Sequence, residues 1–246
     1  MKKNVGGEAV YQSVFKRYEL KYMLTLQQKA LLADLLQTHM QPDAYGKTTI
    51  RNIYFDTDNY RLIRRSLESP AYKEKLRIRS YATAGENDSV FVELKKKYDS
   101  VVYKRRVVMP RQQAMQWLCD GASHPEPSQI VNEIDYFCSF YQTLRPTVFL
   151  SYDREAWYSP SEDFRVTFDE NILSRQEEIC LGADIWGAPL LETDRVLMEL
   201  KTPGGIPLWM TRFLTEQKVY KTSYSKYGTA YREQIFQMNR GEHHYV

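Results

Sequence analysis

Charged residues recur at two-residue spacing in short segments that are otherwise rich in β-branched and aromatic residues. Such segments include Lys75-Leu-Arg77-Ile-Arg79, Glu93-Leu-Lys95 and Glu199-Leu-Lys201. Because successive residues of a β-strand point to opposite faces, each segment places its charges on one face and its apolar residues on the other. A solvated outer face also alternates, but it usually mixes Thr, Ser and Gln with the charges. Repeated Arg and Lys instead need counter-anions, and a chain of phosphates supplies them.

The candidate phosphate-binding residues combine two cation types with different uses. The planar guanidinium of arginine binds two phosphate oxygens at once, whereas lysine supplies a movable point charge. A mixture of the two suits several consecutive phosphoryl groups. The candidates are Lys21, Arg77, Arg79, Lys95, Lys104, Arg154, Arg165, Lys201 and Lys226.

Carboxylates on the same charged faces are the candidate metal ligands. Glu199 precedes Lys201 by two residues and is flanked by apolar residues, an unexpected position in a pure anion site. A carboxylate there suits Mn²⁺ or Mg²⁺, which bind through one or two carboxylates plus substrate phosphates. The alternative is an internal salt bridge to a neighbouring cation. For Glu19 and Glu93 the salt bridge is the better interpretation, and they are weaker metal candidates.

Eight segments have the composition of strands, and they are bounded by turn-forming residues. They span residues 14–22, 48–56, 72–82, 89–98, 101–109, 146–156, 163–171 and 194–202. Two short connections, at 85–89 and 98–100, predict hairpins. Helical periodicity and capping signals predict helices after Thr25 and after Ser128, with shorter ones at 58–67, 111–119, 207–217 and 225–238.

This order of elements predicts an α+β fold, an eight-stranded antiparallel β-barrel with helices packed outside. At that strand number the interior holds side chains or a single ligand. With the charged faces inward, the interior would be a wet cationic tunnel. The apolar residues that the helices would then cover are Leu20, Leu76, Ile78, Leu94, Val166 and Leu200.

Length and composition bound the class of protein. The 246 residues are 43% hydrophobic, enough for one substantial core, so we expect a single domain over 1–246 with a core at about 14–235 and a frayed tail at 241–246. A net charge of +3 argues against a nucleic-acid-coating surface. Three cysteines without paired spacing favour the reducing cytoplasm. No stretch is apolar enough to span a membrane, so a membrane-protein partner would have to supply any such association.

The ordered motifs resemble the VTC domain, the polyphosphate polymerase branch of the CYTH-like triphosphate tunnel metalloenzymes. The resemblance covers about residues 14–235. It rests on Phe15-Lys-Arg-Tyr-Glu-Leu-Lys-Tyr22, Ile53-Tyr-Phe-Asp-Thr57, Leu76-Arg-Ile-Arg-Ser-Tyr81, Phe91-Val-Glu-Leu-Lys95, Arg145-Pro with Tyr152-Asp-Arg154, Arg165-Val-Thr-Phe-Asp169, Met198-Glu-Leu-Lys201 and Tyr224-Ser-Lys-Tyr227.

The resemblance implies an enzyme that transfers the γ-phosphate of ATP to polyphosphate or pyrophosphate with Mn²⁺ or Mg²⁺. It assigns phosphate binding to the nine cations named above and metal binding to Glu199. The first strand departs from the wider superfamily, because Arg17-x-Glu19-x-Lys21 stands where tunnel triphosphatases usually have Glu-x-Glu-x-Lys. The missing carboxylate makes a two-metal hydrolytic site less favoured.

Two other classes of function remain open from the sequence. A tunnel triphosphatase would share every cation and differ in letting water attack the triphosphate. A non-catalytic polyphosphate-binding module would share the cations without the chemistry. The four histidines form no catalytic triad, and phosphoryl transfer needs no such nucleophile. Nucleic acid is not an expected partner, because no base-stacking surface or strongly basic exterior is evident.

Overall fold

The computed structural model describes residues 18–99, 101–124 and 126–236. In these residues eleven antiparallel strands form one sheet. They are β1 Tyr18–Thr25, β2 Gln41–Pro42, β3 Thr48–Asp56, β4 Tyr72–Ser80, β5 Ser89–Tyr98, β6 Val101–Pro110, β7 Arg145–Tyr158, β8 Arg165–Arg175, β9 Ala188–Pro189, β10 Arg195–Thr202 and β11 Lys221–Thr222. Their order is β11-β1-β10-β8-β7-β3-β4-β5-β6, with β2 also paired to β7 and β9 to β8. The eight predicted strands and both hairpins are confirmed, although residues 14–17 and the tail lie outside the described residues.

Six α-helices connect the strands in the described part of the chain. They are α1 Leu26–His39, α2 Arg61–Leu67, α3 Arg111–Asp120, α4 Gln129–Tyr141, α5 Leu208–Glu216 and α6 Lys226–Ala230, which continues as a π-helical turn, Tyr231–Ile235. The capping box predicted for α1 is present, because Thr25 and Gln28 exchange side-chain-to-backbone hydrogen bonds. None of these helices has the length and apolar character needed to cross a membrane.

The convex side of the sheet is apolar and covered by helices, as the alternation predicts. Leu76, Ile78 and Leu94 are fully buried in a core that includes residues of α3 and α4. Val166 and Leu200 are buried in a second core, which includes residues of α1 and α5. Covering this side directs the charged residues of the same strands to the concave side.

The predicted closed barrel is wrong, because the sheet is curled but open. The strand β11 pairs with the free edge of β1 at Lys21 and Tyr22 and occupies backbone groups that β6 would need for closure. A salt bridge between side chains, Lys95 Nζ to Glu19 Oε2 at 2.7 Å, crosses the gap instead. The structure is therefore a tunnel-like sheet with a seam along one side.

The expectation that all helices pack outside is also wrong. The helix α6 and its π-helical turn contribute to a core that includes Tyr54, Leu150 and Leu197 of the concave face. Tyr227 of α6 stacks on Tyr54, with ring centroids 5.0 Å apart. The concave side therefore has an apolar part covered by the C-terminal helix and a charged part beside it, rather than a uniformly wet interior.

Candidate functional site

Strands β4, β5 and β6 place one group of charges side by side on the concave face. Arg77 lies opposite Glu93, and Glu93 lies opposite Arg106 on the next strand. Since paired residues of antiparallel strands share a face, these side chains converge. We call this group the arginine wall; its members are Lys75, Arg77, Arg79, Glu93, Lys104 and Arg106.

Glu93 is the centre of the arginine wall. Its side chain is 1% exposed, and its oxygens accept from Arg77 Nε at 2.9 Å and Arg106 Nε at 2.8 Å. Lys104 Nζ lies 2.7 Å from Oε1, and Arg79 Nε lies 3.9 Å from Oε2. One carboxylate thus holds four cations whose remaining N–H groups can serve a bound anion.

The electrostatics of the arginine wall reflect this crowding. Burial raises the pKa of Glu93, but the surrounding cations outweigh it and hold that pKa well below its usual range. Desolvation lowers the pKa of Lys104 to about 8 even though its side chain is 41% exposed, and Glu93 opposes the change. Glu93 is therefore ionised while Lys104 titrates close to neutral pH.

Two residues beside the Glu93 cluster respond to its positive field. Desolvation and the neighbouring lysines Lys21 and Lys95 lower the pKa of Lys75 to about 8. Tyr54 is 7% exposed, and its hydroxyl accepts a hydrogen bond from Arg77 Nη1 at 2.9 Å. Burial raises the pKa of Tyr54, but Arg77, Lys75 and Arg79 overcome burial and lower that pKa to about 7. A field strong enough to favour a phenolate also favours an anionic ligand.

Strands β1, β8 and β10 carry a second group of charges, which we call the carboxylate wall. Its members are Glu19, Lys21, Asp169, Glu199 and Lys201, together with Arg154 of β7 and Lys226 of α6. Glu199 lies opposite Lys21, and Glu19 lies opposite Lys201 in the β1–β10 register. Lys201 Nζ is 3.1 Å from Glu199 Oε1. Burial raises the pKa of Glu199, yet Lys201, Lys21 and Arg154 hold it far below its usual range.

Asp169 is a second fully buried carboxylate centre. Arg154 contacts both of its oxygens, with Nε 2.6 Å from Oδ1 and Nη2 2.7 Å from Oδ2. Lys226 also binds Oδ2 and lies over the ring of Tyr152, 4.4 Å from its centroid. Burial opposes ionisation, but these two cations lower the pKa of Asp169. The pairing fixes Arg154 and Lys226 at the concave face.

The two walls meet across the seam of the sheet. Lys95 of β5 reaches Glu19 of β1, as described above. The segment before α6 lies between the walls, since Lys21 Nζ donates to the Tyr224 carbonyl at 2.8 Å and Lys75 Nζ lies 3.2 Å from Ser225 Oγ. Side chains from both ends of the open sheet therefore share one charged region.

Eight of the nine cations chosen from the sequence belong to this region. Arg165 differs, because it lies at the rim with its side chain 49% exposed and pairs with Asp43 at 2.5 Å. Of the three candidate metal ligands, Glu93 is engaged by four cations, Glu19 by Lys95 and Glu199 by Lys201.

Sequence reasoning missed several residues of the site. Asp169 is four residues from Arg165 on one strand, so the two-residue period could have identified it as an inward carboxylate. Lys75 lies on the same face of β4 as Arg77, and Arg106 lies on the same face of β6 as Lys104. The two-residue spacing could therefore have identified both as site residues. Tyr54 gives no such signal, because an isolated tyrosine in an apolar strand is indistinguishable from a core residue.

The carboxylates fit a divalent metal that takes its remaining ligands from a substrate. Glu199 is kept ionised, and Glu19 lies on the neighbouring strand close enough for each carboxylate to act on the charge of the other. No cluster of three or more His, Cys, Asp or Glu side chains suited to a metal occurs within the described ranges. One or two carboxylates plus phosphate oxygens and water is the usual arrangement for Mg²⁺.

A curled antiparallel sheet with a cationic concave face is the arrangement expected of the triphosphate tunnel proteins that the motifs resemble. Comparison with protein families then shows that this chain belongs to the VTC domain family, whose sequence pattern matches residues 16–234. The resemblance found in the motifs is therefore confirmed. A comparison with curated proteins finds no match.

One solved structure supports the fold, and a second is more distantly similar. A candidate adenylate cyclase from Bacillus halodurans is similar with a TM-score of 0.54 and 14% identity, covering 87% of this chain and 96% of that one. A candidate adenylate cyclase from Vibrio parahaemolyticus has a TM-score of 0.47 and 10% identity, covering 88% of this chain and 98% of that one. At such low identity the first likeness concerns the fold alone.

Proposed function

We propose that this chain is a polyphosphate polymerase that transfers the γ-phosphate of ATP to the end of a polyphosphate chain on the concave face. The observation that carries the proposal is the convergence of two different walls on one region. The arginine wall has five cations around a single carboxylate, which suits a phosphate chain. The carboxylate wall offers Glu19 and Glu199, which suit a metal.

The reaction needs positioning and charge neutralisation rather than a protein nucleophile. A terminal phosphate oxygen of the polyphosphate attacks the γ-phosphorus of ATP. The bond from that phosphorus to the β,γ-bridging oxygen breaks, and ADP leaves with the electron pair. Arg77 and Arg79 neutralise the charge on the transferring group, while Lys201 and Arg154 orient the neighbouring phosphates.

Glu199, with Glu19 beside it, would hold Mn²⁺ or Mg²⁺. Such an ion supplies Lewis-acid stabilisation of phosphoryl oxygens when it is bound. Lys201 and Lys21 keep the Glu199 carboxylate ionised, so it needs no deprotonation before it accepts a cation. Asp169 has a different role, because its two cation partners leave it as an anchor for Arg154 and Lys226.

Two alternatives use the same cations. A triphosphatase would let water replace the polyphosphate acceptor, and a binding module would hold polyphosphate without turnover. Glu199 favours catalysis over binding alone, because it is ionised and pairs with Lys201, whereas Glu93 and Asp169 each hold two or more cations in place.

One assay separates the three functions. The purified chain is incubated with ATP and Mn²⁺, and the products are resolved by gel electrophoresis and phosphate determination. We expect long-chain polyphosphate together with ADP. Free phosphate without polymer would instead identify a hydrolase, and unchanged ATP with retained polyphosphate binding would identify a binding module.

We place the reaction in the cytoplasm. The three cysteines Cys119, Cys138 and Cys180 are all free thiols, which is typical of proteins from reducing compartments. A membrane-protein partner stays a prediction, as the means by which this chain would associate with a membrane.

A further inference from the structure

An aromatic pair at the end of the arginine wall is not used by the reaction described above. Tyr81 directly follows β4, and Phe91 lies near the start of β5. Their rings meet edge to face, with centroids 5.4 Å apart and an interplanar angle of 82°. Tyr81 is 40% exposed, whereas Phe91 is half-buried. An exposed aromatic ring therefore borders the cationic region.

Contacts with the arginine wall fix the position of Tyr81. Its hydroxyl accepts a hydrogen bond from Arg106 Nη2 at 3.3 Å and also interacts with Arg79. The guanidinium of Arg106 lies over the ring of Phe91, 4.4 Å from its centroid, and Arg106 Nε binds Glu93. The Tyr81 ring is therefore adjacent to the phosphate-binding cluster, and its contacts with Arg106 and Arg79 fix its orientation.

We propose that Tyr81 is a stacking platform for the base of the nucleoside triphosphate. This inference rests on the proposed function and names the part of the substrate that the cations do not bind. In a nucleoside triphosphate a planar base is joined through ribose to the phosphate chain, so an aromatic ring next to the anion site can contact the base while the cations hold the phosphates. Stacking on an aromatic ring tolerates any base because every base has a π-face.

The arrangement also sets the expected selectivity. The Tyr81 hydroxyl accepts hydrogen bonds from Arg106 and Arg79, and the face of its ring carries no donor or acceptor that could read the edge of a base. The platform therefore favours nucleoside triphosphates over inorganic triphosphate, with little discrimination between adenine and guanine.

Calorimetric titration with two ligands tests the platform. The ligands are the β,γ-imido analogue of ATP and inorganic tripolyphosphate, each with Mg²⁺. Tyr81→Leu is expected to weaken the analogue about tenfold while changing tripolyphosphate affinity less than about twofold. Tyr81→Phe keeps the ring and is expected to retain the wild-type preference. Tyr136→Leu, on an exposed tyrosine of α4, is the matched control and should change neither affinity.

Two outcomes would overturn the platform alone. Equal weakening of both ligands by Tyr81→Leu would show that the ring only orders the arginines, and unchanged affinity for both would place the base elsewhere. If the wild-type chain bound neither ligand, the proposed function would fail together with this inference. If Tyr81→Leu lowers the melting temperature, the two titrations are repeated with Phe91→Leu, which removes the ring that supports Tyr81. Weaker binding of the ATP analogue with unchanged tripolyphosphate affinity is again the expected result.

Discussion

The two walls of the concave face differ in how their charges are balanced. In the arginine wall a single carboxylate, Glu93, serves four of the cations around it. In the carboxylate wall Asp169 pairs with Arg154 and Lys226, and Glu199 pairs with Lys201. The first wall therefore keeps an excess of positive charge, whereas the second is close to neutral.

Under the proposed function this difference gives each wall a separate task. Uncompensated cations attract phosphates, so we propose the arginine wall as the main binding surface for the triphosphate. Glu199 and Glu19 suit a divalent metal, so we propose the carboxylate wall as the site of the catalytic ion. Changes in the first wall should mainly alter affinity, and changes at Glu199 should mainly alter turnover.

Glu199→Gln is expected to have the largest effect and to separate polymer synthesis from phosphate affinity most clearly. The substitution removes the charge that would hold the metal but keeps the size of the side chain. We expect polymer synthesis to fall about 1,000-fold, an effect of the size seen when one group that stabilises transition-state charge is removed. Tripolyphosphate affinity without metal should change less than about twofold. Glu216→Gln, on the exposed face of α5, is the control for both measurements, and unchanged synthesis by Glu199→Gln would reject the metal assignment.

A stability effect is expected from Glu93→Gln, because several cations lose their shared partner. Breaking such a buried ion-pair cluster lowers the free energy of unfolding by about 3 kcal/mol. Tripolyphosphate should restore stability more in this variant than in the wild type, since the anion replaces the lost charge. Thermal denaturation with and without the ligand measures both effects. Equal ligand-induced shifts in the two proteins would show that phosphate does not bind at this cluster.

A large loss of affinity is expected from Arg77→Ala. Arg77 lies between Glu93 and Tyr54, so its removal eliminates a fixed guanidinium from the phosphate site. We expect the dissociation constant for tripolyphosphate to rise about 100-fold. Arg212→Ala, an exposed arginine on α5, should have no effect. A similarly small change of the dissociation constant in both variants would show that the arginine wall is not part of the phosphate-binding site.

The smallest effect that we expect is the dependence of tripolyphosphate affinity on pH. A lysine binds an anion only while it is protonated, and burial lowers the pKa of Lys75 and of Lys104 to about 8. Ionisation of Tyr54 above its pKa of about 7 adds a negative charge beside Arg77. Tripolyphosphate affinity should therefore fall about tenfold between pH 7 and 9, whereas exposed lysines would keep their charge over that range.

Replacement of one lysine tests whether lysine deprotonation causes the loss of affinity at high pH. Lys75→Arg keeps its charge at pH 9 and should reduce the fall in affinity, while Lys218→Arg at an exposed position should not. Binding at pH 8 should also take up protons, because a bound anion raises the pKa of each lysine. Calorimetry in buffers of different ionisation enthalpy detects that uptake. A flat affinity profile from pH 7 to 9 would show that lysines of lowered pKa do not bind the phosphates.

The sequence was sufficient to predict the eight long strands and the face on which their charged residues lie. The two-residue period of β4 places Arg77 and Arg79 together, and the alternating apolar residues Leu76 and Ile78 are buried in a core with residues of α3 and α4. Such alternation is local, so it can be read without knowing which strands pair.

Two features could not be predicted in this way: whether the sheet closes into a barrel, and that α6 covers part of its concave face. Closure of a barrel depends on the stagger of all its strands, which includes the register shifts at Tyr54/Phe55 and at Ser151/Asp153. It also depends on β11, a two-residue strand with no recognisable pattern. The packing of α6 against Tyr54 is a long-range contact that no local spacing indicates.

The most direct test of the two-wall account is a crystal structure with tripolyphosphate and Mn²⁺ bound, using anomalous scattering to locate the metal. We expect phosphate oxygens at hydrogen-bonding distance from Arg77 and Arg79, and the Mn²⁺ signal beside the carboxylate of Glu199. Phosphates bound away from the concave face, or a metal bound far from Glu199 and Glu19, would contradict the account.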